Sequence, residues 1–243
     1  MSVGVRLLGG DGPVVVAAHG VEDRWDSWRA VAERFPGRFY ALDLPWRAGN
    51  DYRWTSDGDA GAWLRRALDE VPEPVEVLIG HSFGANAVLQ HLAEVAAVPA
   101  LLLVPFYPTA AEPYERAYAD FRAIMAEGLR LRLGSRVVED ELVDAMVDQT
   151  ARRAGEHGLG ALFDQFRRTA KLPLAEVRTP TMVLTCSGDR ALPPDRAHAL
   201  AAAMLAAEVR LVPGGTHFQH LDRPERVAAA LTEFTDREGS DAA

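Results

Sequence analysis

Three short stretches of the chain carry side chains suited to nucleophilic chemistry. The first is Gly80-His-Ser-Phe-Gly84, set between an apolar run that ends at Ile79 and a helix-like pattern that starts at Phe83. A serine on a sharp strand-to-helix turn projects its Oγ clear of the backbone, and flanking glycines admit a close approach that any Cβ would block. The helix beginning there aims free N–H groups and its positive dipole end at the serine. That makes the amide of Phe83 a candidate oxyanion donor. The second stretch, Thr181-Met-Val-Leu-Thr-Cys-Ser-Gly-Asp189, puts a carboxylate just past another apolar run. The third, Gly214-Gly-Thr-His217-Phe, puts an imidazole in the loop after Val209–Val212.

Each stretch has an ordinary reading on its own. G-x-S-x-G occurs widely, Gly-Asp is a common turn pair, and a loop histidine is usually solvated. Together they give the order Ser82, Asp189, His217, each past the end of an apolar run. That order predicts Ser82 as nucleophile, His217 as its base and Asp189 as the group that orients the base. A fourth stretch, His19-Gly20-Val21, follows the run Val14–Ala18 and makes the Val21 amide a second oxyanion donor. His220 and Glu112 are rivals for base and acid, with poorer local context. His81 beside the nucleophile reads as structural.

The elements that must position these residues alternate along the chain. Apolar runs at Val14–Ala18, Arg38–Leu44, Val75–Ile79, Ala100–Val104, Thr181–Cys186 and Val209–Val212 predict strands. Helical spacing covers Asp26–Phe35, Ala60–Val71, Phe83–Ala97, Asp195–Glu208 and Pro224–Phe234. Strands apolar on both faces and separated by helices predict a mostly parallel central sheet with helices on both faces. From Phe106 to Leu174 no strand is expected. Helical patterns over Tyr114–Leu133, Asp140–Ala154 and Leu159–Lys171 predict an insertion over the carboxyl ends of the strands.

Composition narrows the function further. The 243 residues carry a net charge of −9, which disfavours nucleic acid and anionic membranes as partners. The single cysteine, Cys186, forms no intramolecular disulfide. The start has no basic or apolar leader pattern, and a cytoplasmic protein is the expectation. No zinc-type spacing, acidic calcium loop or G-x-G-x-x-G occurs, so neither a metal nor another cofactor is expected.

The chain resembles the α/β-hydrolase superfamily over nearly its whole length. His19-Gly20, Gly80-His-Ser-Phe-Gly84, Asp189 followed by Pro193, and Gly215-Thr-His-Phe218 carry the likeness. The resemblance implies the Ser82–His217–Asp189 triad and a helical lid between the sixth and seventh strands. The expected organisation is a hydrolase core over 1–105 and 175–243 with the lid over 106–174. Two departures are Asp43-Leu-Pro-Trp-Arg-Ala-Gly-Asn50, which lacks the usual glycine-rich end and implies a different pocket floor, and Ala85 in place of a second glycine. Trp25, Trp46, Trp54, Tyr107, Phe121 and Met125 are candidates for an apolar substrate pocket.

The function expected is hydrolysis of an ester or thioester of a small-molecule acyl substrate, free or carrier-bound. The same residues also suit an acyltransferase, an editing thioesterase, a C–C hydrolase or a lyase. A ligand-binding member without catalysis is the reading from another class. The sequence is silent on oligomeric state.

Overall fold

The computed structural model describes residues 3–95, 98–107, 114–134, 136, 138–189 and 192–241, the side chains at 156, 157, 240 and 241 excepted. Seven strands form one sheet: β1 (Gly4–Gly9), β2 (Val14–Ala18), β3 (Arg38–Asp43), β4 (Val77–His81), β5 (Ala100–Leu103), β6 (Thr181–Cys186) and β7 (Ala207–Val212). Their spatial order is β1-β3-β2-β4-β5-β6-β7. Among the described residues, only β1 runs antiparallel to its neighbour and the other pairings are parallel.

β2, β4, β5 and β6 are buried at every position, as their continuous apolar sequences predict. Alternate residues feed two cores. Val14, Val16, Leu78, Leu102 and Val183 face one, with helices α2 (Ala60–Leu68) and α3 (Phe83–Glu94). Val15, Ala17, Ile79, Leu101 and Leu184 face the other, where Trp28, Val31 and Phe234 pack. These last belong to a 3₁₀ turn at Trp25–Trp28, α1 (Arg29–Ala32) and α8 (Pro224–Asp241). Of the remaining helices, α6 (Pro194–Ala203) lies between β6 and β7, and α7 (Gln219–Asp222) follows β7.

The stretch between β5 and β6 holds two long helices, α4 (Tyr114–Leu133) and α5 (Asp140–Thr169), and no strand among the described residues. α5 is two helical pieces joined at Gly155, whose φ of 62° breaks the run close to the gap expected after Ala154. The insertion falls between the fifth and sixth strands here, not the sixth and seventh, because this sheet has seven strands. Residues 108–113, Glu112 among them, lie outside the described residues.

The sequence pattern does not announce β1. It is an edge strand with no buried position, so it lacks an apolar stripe. The alanine-rich helix expected to reach Glu208 ends at Ala203, and β7 starts two residues earlier than its apolar run. Tertiary pairing with β6 takes Ala207 and Glu208 from the helix that propensity favours. Among the described residues no helix is long and apolar enough to cross a membrane.

Candidate active site

Ser82 joins β4 to α3 at φ 49° and ψ −118°. A non-glycine residue adopts this conformation only where its surroundings impose it, at a cost of about 1–3 kcal/mol. The Ser82 amide donates to the carbonyl of Leu103 at 2.8 Å, and its carbonyl accepts from Asn86 at 3.1 Å. A Cβ on Gly80 would stand 2.7 Å from the Cα of Ala85, and one on Gly84 would stand 2.4 Å from the carbonyl oxygen of Ala18. Both glycines are thus required for the helix, the nucleophile turn and the end of β2 to meet.

That contact brings His19-Gly20-Val21 beside the turn. Burial holds His19 below the ordinary histidine range. As the neutral ring, it donates from Nδ1 to the Gly20 carbonyl at 2.7 Å and accepts the Leu44 amide at Nε2 at 3.1 Å. Val21 and Ser82 line one cavity. The Phe83 amide belongs to the first turn of α3, where N–H groups have no partner within the helix.

His217 and Asp189 meet from the loops after β7 and β6. Nδ1 of His217 lies 2.7 Å from Oδ2 of Asp189, and the Asp189 Oδ1 accepts the Leu192 amide at 2.9 Å. The pair is buried, at 1% and 2% side-chain exposure. An acceptor carboxylate at Nδ1 places the ring proton there and leaves Nε2 bare. Nε2 is buried and has no hydrogen-bond partner among the described residues, and His217 lines the same cavity as Ser82. The backbone of His217 is held from both sides: its amide donates to Oε2 of Glu127 and its carbonyl accepts from Nε2 of His81, each at 3.0 Å. Burial raises the Glu127 carboxyl above its ordinary range, against the hydrogen bond from His217.

The inserted helices supply a large part of the cavity wall: Ala117, Phe121, Ile124, Met125, Phe163 and Phe166. Phe106, Leu192 and Val21 add to its apolar lining, and the ionisable residues lining it among those described are His81, Asp120 and His217. Of the pocket candidates, Phe121 and Met125 stand on this wall. Trp46 does not; it is fully buried, edge-on to Phe83 and Trp54, and donates from Nε1 to the carbonyl of His19. Trp54 is likewise core. Trp25 packs against the guanidinium groups of Arg6 and Arg29 on the other core's side. Tyr107 packs at the edge of the first core, off the lining. Hydrophobicity alone does not separate core aromatics from pocket aromatics, and these four are core or surface.

Several residues around the site carry no local signal. Asp23 is buried and accepts from Arg132 of α4 at 2.6 Å and from His220 at 3.2 Å. Burial would raise its carboxyl, but the His220 hydrogen bond and the Arg132 charge outweigh that and hold it far below the carboxylate range. His220, the rival base, is therefore occupied elsewhere. Asp23, His81 and His220 bring ligand-type atoms within 4.8 Å of one another. Arg132 already neutralises Asp23, so a divalent cation there would leave buried positive charge uncompensated. Cys186 donates to the carbonyl of Thr216 at 3.0 Å, and burial pushes its thiol up to about 11, which leaves it inert at neutral pH.

With a strained serine on a strand-to-helix turn and a carboxylate–imidazole pair at later strand ends, the architecture and site define one class. The chain belongs to the alpha/beta hydrolase family, whose model matches residues 14–230, and it is a hydrolase. It is 26% identical, over 93% of its length and 96% of the relative's, to a pimeloyl-[acyl-carrier protein] methyl ester esterase of Xanthomonas campestris. In structure it is similar to a monoacylglycerol lipase of Paleococcus ferrophilus, with TM-score 0.68 and 17% identity over 97% of this chain and 98% of that one. It is also similar to a meta-cleavage product hydrolase of Pseudomonas fluorescens, with TM-score 0.69 and 14% identity over 97% and 94% of the two chains.

Proposed function

We propose that the chain hydrolyses an uncharged ester or thioester through an acyl-enzyme on Ser82. The observation that carries this reading is the His217 ring. Its Nδ1 is fixed by Asp189, and its bare Nε2 is buried in the wall of the cavity that Ser82 lines. Nε2 takes the Ser82 proton as Oγ attacks the carbonyl carbon. The carbonyl electrons move to oxygen, where the Val21 and Phe83 amides receive the negative charge. Collapse returns them, the alcohol or thiol leaves with the proton from His217, and water repeats the sequence to free the acid. Asp189 keeps the imidazole tautomer and stabilises the imidazolium.

The inserted helices serve as a lid, and residues 106–174 form the unit that selects the acyl group. Their apolar lining disfavours substrates with a carboxylate near the reacting carbonyl. The Xanthomonas relative acts on an ester carried by an acyl carrier protein, which supports a carrier-bound ester as the second substrate form to assay.

The test is labelling with a fluorophosphonate followed by peptide mass spectrometry, alongside turnover of p-nitrophenyl esters of graded chain length. Modification at Ser82, and loss of both signals in Ser82→Ala, are expected. A protein that neither labels at Ser82 nor turns over any ester, free or carrier-bound, sinks the reading.

A further inference from the structure

Glu22, the residue after the proposed donor Val21, has a φ of 55°. The Asp23 amide donates to the Gly20 carbonyl at 3.3 Å, which closes a turn over Val21 and Glu22. A turn with positive φ at its third residue calls for glycine or asparagine, not glutamate. In the ordinary form the 21–22 peptide would turn over and the Glu22 amide would leave the Trp46 carbonyl, which it reaches at 2.9 Å. The loop that carries the Val21 amide would lose that anchor.

What holds Glu22 in place is its carboxylate. It accepts from Tyr52 Oη at 2.8 Å, from the Gly49 amide at 3.1 Å and from Nη2 of Arg153 at 2.5 Å. Arg153 belongs to α5. The next residue, Asp23, accepts from Arg132 of α4 at 2.6 Å. Both inserted helices therefore reach, each with one arginine, to the two consecutive acids that follow Val21. The carboxylates are almost wholly buried, at 6% and 1% exposure, while the arginines are about one-third exposed, at 32% and 36%. The charge pairs tie the underside of the insertion to this one loop.

We propose that Arg153 and Arg132 are positioning residues through which the seated insertion sets the oxyanion loop. Transition-state stabilisation is then coupled to closure over the substrate. This rests on the reading of Val21 as an oxyanion donor.

The experiment compares Arg153→Gln and Arg132→Gln, with Arg153→Lys as the conservative variant, by hydrogen exchange and by steady-state kinetics. Faster exchange over 20–23 is expected in both glutamine variants. The expected kcat loss is about 10-fold with KM within about twofold, smaller than the ~10²–10³ lost when a donor is removed outright. Arg153→Lys, which keeps the charge, recovers part of that loss. A merely structural role would lower the melting temperature while leaving kcat and the exchange at 20–23 unchanged, which overturns the proposal. A fall in kcat without faster exchange at 20–23 overturns it too, since the loss would then come through the pocket. If the unaltered protein neither labels at Ser82 nor turns over esters, the esterase reading fails separately, and the exchange data alone decide whether the arginines hold the loop.

Discussion

Oδ2 of Asp189 lies 2.7 Å from Nδ1 of His217, and the loops that carry them touch through glycine: a Cβ on Gly188 would stand 1.9 Å from the carbonyl oxygen of Gly215. Close backbone contact thus holds together the two loops that carry these side chains. Asp189→Asn keeps the volume but replaces the acceptor that fixes the His217 proton on Nδ1. A loss in kcat of roughly 10³–10⁴-fold on an activated ester is expected, with the melting temperature little changed. A loss under 10-fold would remove Asp189 from the proposed triad.

Gly188→Ala forces these two loops apart, because both neighbours in the clash are backbone. A destabilisation of about 1–3 kcal/mol is expected, with a disproportionate fall in kcat among the molecules that still fold. Gly160 of α5 is the contrast: a Cβ there meets nothing within 4 Å. Gly160→Ala should stabilise by about 0.5–1 kcal/mol, the usual difference between the two residues in a helix. Urea titration of both variants checks the pair, and equal effects would contradict the packing described.

Burial holds His19, His81 and His220 below the ordinary histidine range, so all three take up protons less readily in the folded chain than in the unfolded one. The unfolded chain takes up protons on them as pH falls through about 6.5. It then binds more protons than the folded one, and stability drops as pH falls below that value. His81→Gln retains an N–H for the His217 carbonyl but removes one of these titrations. Its unfolding free energy should fall less steeply between about pH 6.5 and 5, by up to ~1.4 kcal/mol per pH unit. Parallel curves for parent and variant would show that His81 is not neutral when folded.

Glu127 behaves in the opposite sense. Its carboxyl is raised by burial, so the folded chain holds that proton more tightly than the unfolded one, and stability is lost as pH rises through the raised value. Glu127→Gln keeps an oxygen for the His217 amide and removes the buried charge. The variant should gain in melting temperature relative to the parent at pH 8 and lose that gain near pH 4. A variant less stable at pH 8 would mean that the charge itself holds His217.

The arrangement of Ser82, Asp189 and His217 was legible because each follows a strand whose apolar run is plain, and a parallel sheet puts all such strand ends on one edge. The glycines around Ser82 were legible for the same reason: a turn that sharp admits no other residue at Gly80 or Gly84. Two of the pocket residues, Phe121 and Met125, were readable as aromatic or apolar positions on an inserted helix. Trp46 and Trp25 were not separable from them, since a buried tryptophan looks the same in sequence whether it faces a core or a cavity.

The chain by itself determined the order of strands and helices, the three side chains at the strand ends, and the glycines that let them approach. Those features rest on local periodicity and on steric limits within a few residues. Only the tertiary structure decided the edge strand β1, the pairing of Glu127 with the His217 amide, and the grip of Arg132 and Arg153 on Asp23 and Glu22. These contacts join residues 90 to 131 positions apart in the chain. Charge pairs at such separation leave no periodic trace, because which arginine meets which carboxylate depends on how the inserted helices seat over the sheet. The placement of Ser82, Asp189 and His217 past strand ends is written in the sequence; the loop that would receive the oxyanion takes its shape from the fold.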